Sequence, residues 1–180
     1  MNRSQLEHAI RAACDVAEET ELVVFGSQAI LGQYPEAPPE LRASIEVDVQ
    51  PLNHPERVDQ IDGALGELSQ FHTTHGFYVH GVSLEAATLP EGWEDRTVIV
   101  RHPVGTRGKT GHCLEAHDLA ASKLFAYRPK DRDFVRTLLV EGLISPGILR
   151  ERILELPVDT ETKERLLTWL RITTDDLALT

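Results

Sequence analysis

Apolar positions in the first quarter of the chain follow helical spacing, then strand spacing. Apolar residues at helical intervals, after the Ser-x-x-Glu capping-box sequence of residues 4–7, predict a first helix that ends near Glu19. The apolar run of residues 22–25 predicts a buried strand, and residues 28–33 suit a short helix that Gly32 helps to close. The chain therefore begins as helix, strand and short helix.

Polar and apolar residues alternate from Ser44 to Gln50, which predicts a strand with two different faces. Glu46 and Asp48 fall on the same face, so both carboxylates point in one direction. The opposite face carries Ile45, Val47 and Val49. This strand places negative charge on one side of the predicted sheet.

The rest of the chain contains more predicted helices than strands. An apolar stripe predicts a helix from Pro55 to the region of Ser69, and residues 77–82 and 97–100 are predicted strands. The remaining predicted helices cover residues 115–127, 133–140, 146–154 and 160–171. Mixed elements come first and helices alone come last.

This order predicts two parts with a boundary in the loop of residues 106–110. We expect a mixed α/β core over residues 1–110 and a helical part over residues 111–180, packed as one compact unit. A chain of 180 residues with 41% hydrophobic residues is long enough for a sizeable core.

Apolar runs and cysteines indicate the compartment. No window approaches the roughly 20 apolar residues of a membrane span, and the first residues lack the apolar core of a signal peptide. Cys14 and Cys113 have neither metal-site spacing nor a secreted context, so we expect buried free thiols. A cytoplasmic protein without membrane contact is the expectation.

The charge of the chain is acidic but uneven. The formal net charge of −11 disfavours indiscriminate binding to nucleic acid, because phosphate backbones are repelled by an acidic surface. Basic residues nevertheless crowd the segment from Arg101 to Arg136. A local basic groove is therefore compatible with the acidic composition.

Glu46 and Asp48 indicate a cation site, because neighbouring carboxylates repel each other unless a cation or a shared proton offsets their charge. Carboxylate oxygens, with water and substrate phosphate as further ligands, suit Mg²⁺. Gly26 and Ser27, between the first strand and the short helix, offer close backbone approach, N–H groups, a hydroxyl and the positive end of a helix dipole to a triphosphate. Together these features predict metal-assisted nucleotidyl transfer.

The motifs in this order resemble a known superfamily. Gly26-Ser27, followed by Glu46-x-Asp48, is similar to the signature of the DNA polymerase β-type nucleotidyltransferases. The stretch Cys113–Leu139 resembles the helical motif of the small nucleotidyltransferases related to the AbiEii and MenT toxins.

The resemblance implies an α+β, nucleotidyltransferase-like fold, with a mixed β-sheet flanked by helices and an all-helical C-terminal part. It also implies an NTP substrate, Mg²⁺, and transfer of NMP to an acceptor. For the MenT toxins the acceptor is the 3′ end of tRNA, and a cognate antitoxin protein neutralises the toxin. The functional residues that it implies are Gly26, Ser27, Lys123 and Arg128 for the nucleotide, Glu46 and Asp48 for the metal, and Asp131 as a further active-site acid.

The metal motif departs from the superfamily pattern. Glu46 stands where the superfamily more often has Asp, and the gap between Gly26-Ser27 and the carboxylates is longer than usual. The strand best placed to supply a third carboxylate, residues 77–82, carries His80 instead. We therefore expect a site with two acids, and whether His80 replaces the third stays open.

Structural alternatives accompany these assignments. Glu46 and Asp48 could form the solvated face of an edge strand, and Lys123 could be a surface lysine on an amphipathic helix. Asp131 and Asp133 lie at a predicted helix start, where carboxylates cap the helix. We favour a functional role for Asp131 and capping for Asp133.

Two other motifs favour structural interpretations. His117-Asp118 resembles the pair of metal phosphohydrolases, but the further histidines are missing, so we expect a hydrogen-bonded structural histidine. Gly108-Lys109-Thr110 matches the end of a P-loop, but Pro103 stands where the first glycine belongs.

Rival functions stay open. The same chemistry could act on a small molecule or a protein hydroxyl, and a catalytically inactive scaffold could bind a protein partner. The presence of Glu46, Asp48 and Lys123 favours activity, whereas the missing third acid favours the inactive scaffold. The acidic net charge suits a small cationic acceptor, and the basic segment suits RNA.

Overall fold

A computed structural model describes residues 1–178 of the chain. Within them, a mixed sheet of five strands and eight α-helices confirm the predicted α+β fold with its mixed sheet and helical C-terminal part. The strands are β1 (Glu21–Phe25), β2 (Glu46–Pro51), β3 (Tyr78–Gly81), β4 (Val98–Val100) and β5 (Thr110–Cys113). The helices are α1 (Arg3–Val16), α2 (Ile30–Gln33), α3 (Val58–Leu65), α4 (Gln70–His75), α5 (Ala116–Ala126), α6 (Pro129–Val140), α7 (Pro146–Leu154) and α8 (Thr160–Asp176). None of these helices combines the length and apolar content that crossing a membrane requires.

Strand β1 lies at the centre of the sheet, whose strand order is β3-β2-β1-β5-β4. It runs antiparallel to β2 and parallel to β5, while β3 is parallel to β2 and β4 is antiparallel to β5. Residues 22–25 form a continuous buried apolar run, which means that both faces of the central strand are covered. Strand β2 is likewise held on both sides, by β1 and by β3.

Helix α1 begins after a capping box at Asn2 and Gln5, in which each side chain accepts a hydrogen bond from the other residue's N–H at 2.9 Å. The capping box expected at residues 4–7 is therefore wrong. The helix ends at Val16 instead of near Glu19, and the chain then turns through a positive φ of 51° at Glu18. A helix cannot continue through that left-handed conformation.

Strand β5 is an element that the sequence pattern does not predict. Its residues include Gly111 and show no clear alternation of polar and apolar side chains. A Cβ at Gly111 would lie 2.5 Å from Cδ1 of Ile10, so the strand needs glycine where α1 packs against it. Pairing with β1, and not local propensity, therefore selects this strand.

Helix boundaries differ from the prediction at two places. The helix expected from Pro55 to the region of Ser69 is shorter, since α3 ends at Leu65, where Gly66 adopts an extended conformation; α4, from Gln70, lies beyond the predicted helix. Helix α6 begins at Pro129 and not at Asp133, since proline fits the first helical turn, where its missing N–H has no partner to lose.

Both cysteines are free, buried thiols, as predicted. Burial raises the pKa of Cys14 and of Cys113 to about 12 in each case. Neither thiol is therefore a nucleophile near neutral pH. Cys113 packs against the backbone of Gly32, where an added Cβ would lie 2.6 Å from the Cβ of Cys113.

The chain forms two compact units. One contains residues 1–86 and 97–115, with the whole sheet and helices α1 to α4. The other, the helical unit, contains residues 87–96 and the chain from residue 116 onward, with helices α5 to α8. The expectation that the two parts of the chain pack as one compact unit stays a prediction.

The helical unit contains a completely buried carboxylate, that of Asp118 on α5. Arg96 donates two hydrogen bonds of 2.9 Å to its two oxygens, and Nε of Arg152 lies 3.2 Å from Oδ1. Both guanidinium groups also contact the more exposed carboxylate of Glu155. Because a buried charge needs a paired partner, this cluster holds residues 87–96 onto the helices.

Asp118→Ala is expected to lower the free energy of unfolding by about 3 to 5 kcal/mol, because both arginines lose their buried partner. Glu155→Ala removes an exposed carboxylate from the same arginines and should cost no more than about 1 kcal/mol. Urea denaturation followed by circular dichroism measures both losses. Equal losses would contradict the anchoring role of Asp118.

Candidate active site

The face of β2 that carries Glu46 and Asp48 continues onto the neighbouring strand. In the parallel pair of β2 and β3, Glu46 is opposite Tyr78 and Asp48 is opposite His80. Side chains at paired positions point to the same side of a sheet. Strand pairing therefore brings His80 to the two carboxylates, and β2 is not the edge strand of the structural alternative.

His80 lies within hydrogen-bond distance of both acids. Its Nδ1 is 3.2 Å from Oε1 of Glu46 and 3.1 Å from Oδ1 of Asp48. One ligand atom from each of the three residues can be chosen so that all lie within 4.8 Å of one another. The three side chains are 22–39% exposed, so the cluster is open to solvent on one side.

The donor set of this cluster fits a divalent cation. Two carboxylates supply negatively charged oxygens, and a neutral imidazole supplies a lone pair on nitrogen. Glu46 and Asp48, the two acids of the expected site, lie together, and their binding of a cation stays a prediction. The imidazole of His80 stands beside them, opposite the strand position of Asp48.

Tyr78 contacts Glu46 from the paired position on β3. Its pKa is raised by partial burial and by the negative charges of Glu46, Glu67 and Asp48, and its side chain is hydrogen-bonded to that of Glu46. A phenol with a raised pKa stays protonated and so donates to the carboxylate. Tyr78 therefore orients Glu46. The sequence patterns did not identify this role, although Tyr78 and His80 are two residues apart and so share one face of β3.

Gly26 brings the backbone against Asp48. Its φ of 68° and ψ of −172° lie in a region that side chains do not tolerate, and an added Cβ would be 1.9 Å from Oδ2 of Asp48. Ser27 begins a single 3-10 turn that leads into α2. Because α2 contains only four residues, the helix dipole adds little here, and the close approach of the backbone is what Gly26 provides.

Gln28 is a second residue that sequence patterns missed. Its side chain is fully buried, and neither its amide nitrogen nor its amide oxygen has a hydrogen-bond partner among the described residues. A buried amide without partners costs about 1 to 3 kcal/mol per group. Stability does not select such a residue directly after Gly26 and Ser27, so we count it as a functional candidate.

The helical unit brings Lys123, Arg128 and Asp131 together. Asp131 in the first turn of α6 is 1% exposed, and Arg128 holds its Oδ2 at 2.6 Å through Nε. Nζ of Lys123 lies 3.5 Å from Oδ1 of Asp131 and 4.7 Å from the ring centre of Phe134. Two cations thus meet one buried carboxylate.

The carboxyl of Asp131 is an acid that stays ionised. Burial acts to raise its pKa, but the hydrogen bonds and positive charges of Arg128 and Lys123 outweigh burial and hold the pKa below its usual range. Asp133 lies in the interior of α6, so the expected capping role of Asp133 is wrong.

The two structural interpretations of other motifs are confirmed. Nε2 of His117 accepts a hydrogen bond of 2.9 Å from the N–H of Ser145, which identifies a hydrogen-bonded structural histidine. Nζ of Lys109 donates to the backbone oxygen of Glu19 at 2.7 Å, so this lysine joins a loop to the end of α1 instead of binding phosphate.

Comparison with protein families agrees with this geometry. The model of a family described as "Nucleotidyltransferase of unknown function (DUF6036)" matches residues 4–173. The comparison with curated proteins and the comparison with solved structures gave no match.

We expect Gly26→Ala to destabilise the protein by about 3 kcal/mol, because the new side chain meets both a forbidden backbone conformation and Asp48. Gly76→Ala is the control, since Gly76 has a φ of 72° with nothing within 4 Å of an added Cβ; its cost should be about 1 kcal/mol. Urea denaturation measures both. If contact with Asp48 matters, the cost of Gly26→Ala falls in an Asp48→Ala background, and an unchanged cost would leave backbone strain as the sole reason for glycine.

The lowered pKa of Asp131 predicts a pH dependence of stability. Its contribution is complete above the ordinary pKa of about 3.9 and is lost as the pH falls through the lower folded value. Asp131→Asn should be about 3 kcal/mol less stable than the wild type at pH 7, with the difference shrinking as the pH falls below 4. Asp133→Asn, an exposed position on the same helix, should follow the wild type. Urea titrations from pH 7 to pH 3 test this, and parallel curves for Asp131→Asn and the wild type would contradict it.

Proposed function

The chain belongs to this family of nucleotidyltransferases of unknown function, and we propose that it transfers NMP from an NTP to the 3′ end of tRNA in a divalent-cation-dependent reaction. The observation that carries the proposal is the cluster of Glu46, Asp48 and His80 against the backbone of Gly26. The resemblance to AbiEii and MenT toxins supports the tRNA acceptor, Mg²⁺ as the cellular ion, and a toxin role with a cognate antitoxin as partner.

In the proposed reaction, a hydroxyl oxygen of the acceptor forms a bond to the α-phosphorus of the NTP. The bond between that phosphorus and the oxygen that bridges to the β-phosphate breaks, pyrophosphate leaves, and the hydroxyl proton passes to water. Binding of both substrates makes the attack effectively unimolecular, and fixed charges stabilise the transition state.

Each predicted residue has a role in this proposal. Glu46 and Asp48 hold the cation, which when bound neutralises charge on the phosphates and lowers the pKa of the attacking hydroxyl. The backbone of Gly26 and the hydroxyl of Ser27 bind phosphate oxygens. The resemblance assigns Lys123 and Arg128 to the triphosphate, and the contacts of both with the Asp131 carboxylate support a role for Asp131 in orienting the two cations.

Basic residues on the helical unit favour RNA over a small cationic acceptor. The guanidinium groups of Arg132 and Arg165 each lie 4.9 Å from the ring centre of Tyr127. Arg128 and Lys130 are exposed on the same segment of chain. A basic surface with an aromatic ring suits a phosphate backbone and its bases.

A catalytically inactive scaffold is the second candidate, and one observation favours it. Nδ1 of His80 lies within 3.2 Å of both carboxylates, so hydrogen bonding to the imidazole could offset part of their negative charge without any metal. In that case the chain would bind a protein partner and would transfer nothing. A small-molecule or protein hydroxyl as the acceptor is the rival that keeps the chemistry.

The test measures transfer of label from each α-³²P NTP to bulk tRNA in the presence of Mg²⁺ and, in parallel, of Mn²⁺. Asp48→Ala should lower the rate by about 100-fold or more, as expected when a charge contact to the transition state is removed. Asp59→Ala, which removes an exposed aspartate on α3, should leave the rate unchanged.

Other outcomes decide between the rivals. Pyrophosphate release without labelled tRNA would overturn the tRNA acceptor and favour a small molecule or a protein hydroxyl. Absence of NTP binding by equilibrium dialysis would favour the inactive scaffold.

A further inference from the structure

We propose that His80 is a ligand of the active-site cation and that its nitrogen shifts the selectivity of the site from Mg²⁺ towards first-row transition-metal dications such as Mn²⁺. The proposal rests on the proposed function, because it concerns the same cation site. It names a third ligand and the chemical class of the ion.

Strand pairing places the imidazole nitrogen where a third ligand is needed. Asp48 and His80 are direct neighbours in the register of β2 and β3, so His80 is held by backbone hydrogen bonds and not by a loop. Its Nδ1 approaches both acids to within 3.2 Å. Ligands on opposite sides of one ion are at most about 4.4 Å apart, because each metal–ligand distance is about 2.0 to 2.2 Å. The ligand atoms of the cluster all lie within 4.8 Å of one another, so one ion could be held by all three with at most a small closure.

The chemistry of the donors decides the class of ion. Mg²⁺ prefers oxygen ligands and holds its water tightly, so it gains little from an imidazole. First-row transition-metal dications accept imidazole nitrogen together with carboxylate oxygen. A site with Glu46, Asp48 and His80 therefore discriminates against Mg²⁺ more strongly than a site with three carboxylates would.

The outer shell of the cluster supports metal binding by Glu46. The side chain of Tyr78 is hydrogen-bonded to the Glu46 carboxylate and lies on the same face of β3 as His80, so it orients that carboxylate. Metal ligands in proteins are commonly fixed in this way by a donor that does not itself touch the ion.

The sheet offers a matched control at His112. Nε2 of His112 on β5 lies 2.8 Å from Oε2 of Glu21 on β1, which is also a contact between neighbouring strands. This pair belongs to no metal-sized cluster among the described residues. If His80→Ala changes cation affinity only because the sheet loses a contact between a histidine and a carboxylate, His112→Ala should therefore change the affinity equally.

The experiment measures binding of Mn²⁺ and of Mg²⁺ to the metal-free full-length protein by isothermal titration calorimetry. The variants are His80→Ala, His80→Asp and His112→Ala, each first checked for folding by circular dichroism. Pulsed electron paramagnetic resonance of bound Mn²⁺ reports directly on the ligand, since a coordinated imidazole nitrogen produces a modulation that carboxylate oxygens do not.

The wild type and His112→Ala should show nitrogen modulation and tighter binding of Mn²⁺ than of Mg²⁺. His80→Ala should lose the modulation and about tenfold or more in Mn²⁺ affinity, because loss even of an outer-shell partner costs about 10- to 100-fold. His80→Asp supplies a third carboxylate, so it should bind Mg²⁺ more tightly and lower the ratio of Mn²⁺ to Mg²⁺ affinity.

Absence of Mn²⁺ binding, absence of nitrogen modulation in the wild type, or equal affinities in wild type and His80→Ala would each overturn the inference. Its failure is distinguishable from failure of the proposed function. Transfer of NMP with an unchanged metal preference in His80→Asp would keep the function and overturn the ligand role. Mn²⁺ bound through His80 without any NMP transfer would keep the ligand role and overturn the function.

Discussion

The register of β2 is the constraint on which the candidate site depends. Pairing with β1 places Asp48 opposite Phe25, so the chain leaves β1 at Gly26 directly beside the Asp48 carboxylate. Pairing with β3 places His80 on its other side. A slip of one residue in either pairing would turn the acidic face of β2 towards the core, because side chains alternate between the two faces. Burial of the apolar residues of β2 therefore helps to determine which face of the sheet carries Glu46 and Asp48.

The two charge clusters of the protein solve the same physical problem in opposite ways. Asp131 is almost completely buried, and Lys123 and Arg128 offset its charge within the protein. Glu46 and Asp48 stay partly exposed, with the imidazole of His80 within 3.2 Å of both. The first arrangement pairs its buried carboxylate within the protein, as a buried charge requires. The second leaves negative charge facing solvent, as a cation site requires.

Local patterns were sufficient to predict the parts of the site that lie within one strand. Alternation alone predicts Glu46 and Asp48 on one face, and β2 has that alternating burial, although it begins at Glu46 and not at the predicted Ser44. Gly26 and Ser27 were found because a glycine between an apolar strand and a helical turn is a local signal. The α+β fold followed from the order of periodic segments.

The features that the sequence did not reveal arise from pairing between distant segments. The contact of His80 with two acids depends on which strands become neighbours, and no periodicity carries that information. Strand β5 forms for the same reason, since its glycine is selected by Ile10 of a distant helix. The unpartnered amide of Gln28 is visible only when burial is known.

The histidine in the cluster changes the net charge of the proposed cation site. Three carboxylates around one dication carry a net charge of −1, whereas two carboxylates and a neutral imidazole balance it. Before the cation binds, a site with two carboxylates is less negative than a site with three, so it repels the triphosphate less but also attracts the cation less strongly over distance. Geometry must then compensate for the weaker attraction. The hydrogen bond from Tyr78 to Glu46 and the rigid register of Asp48 with His80 supply that geometry, because ligands held in place lose little conformational entropy when an ion binds.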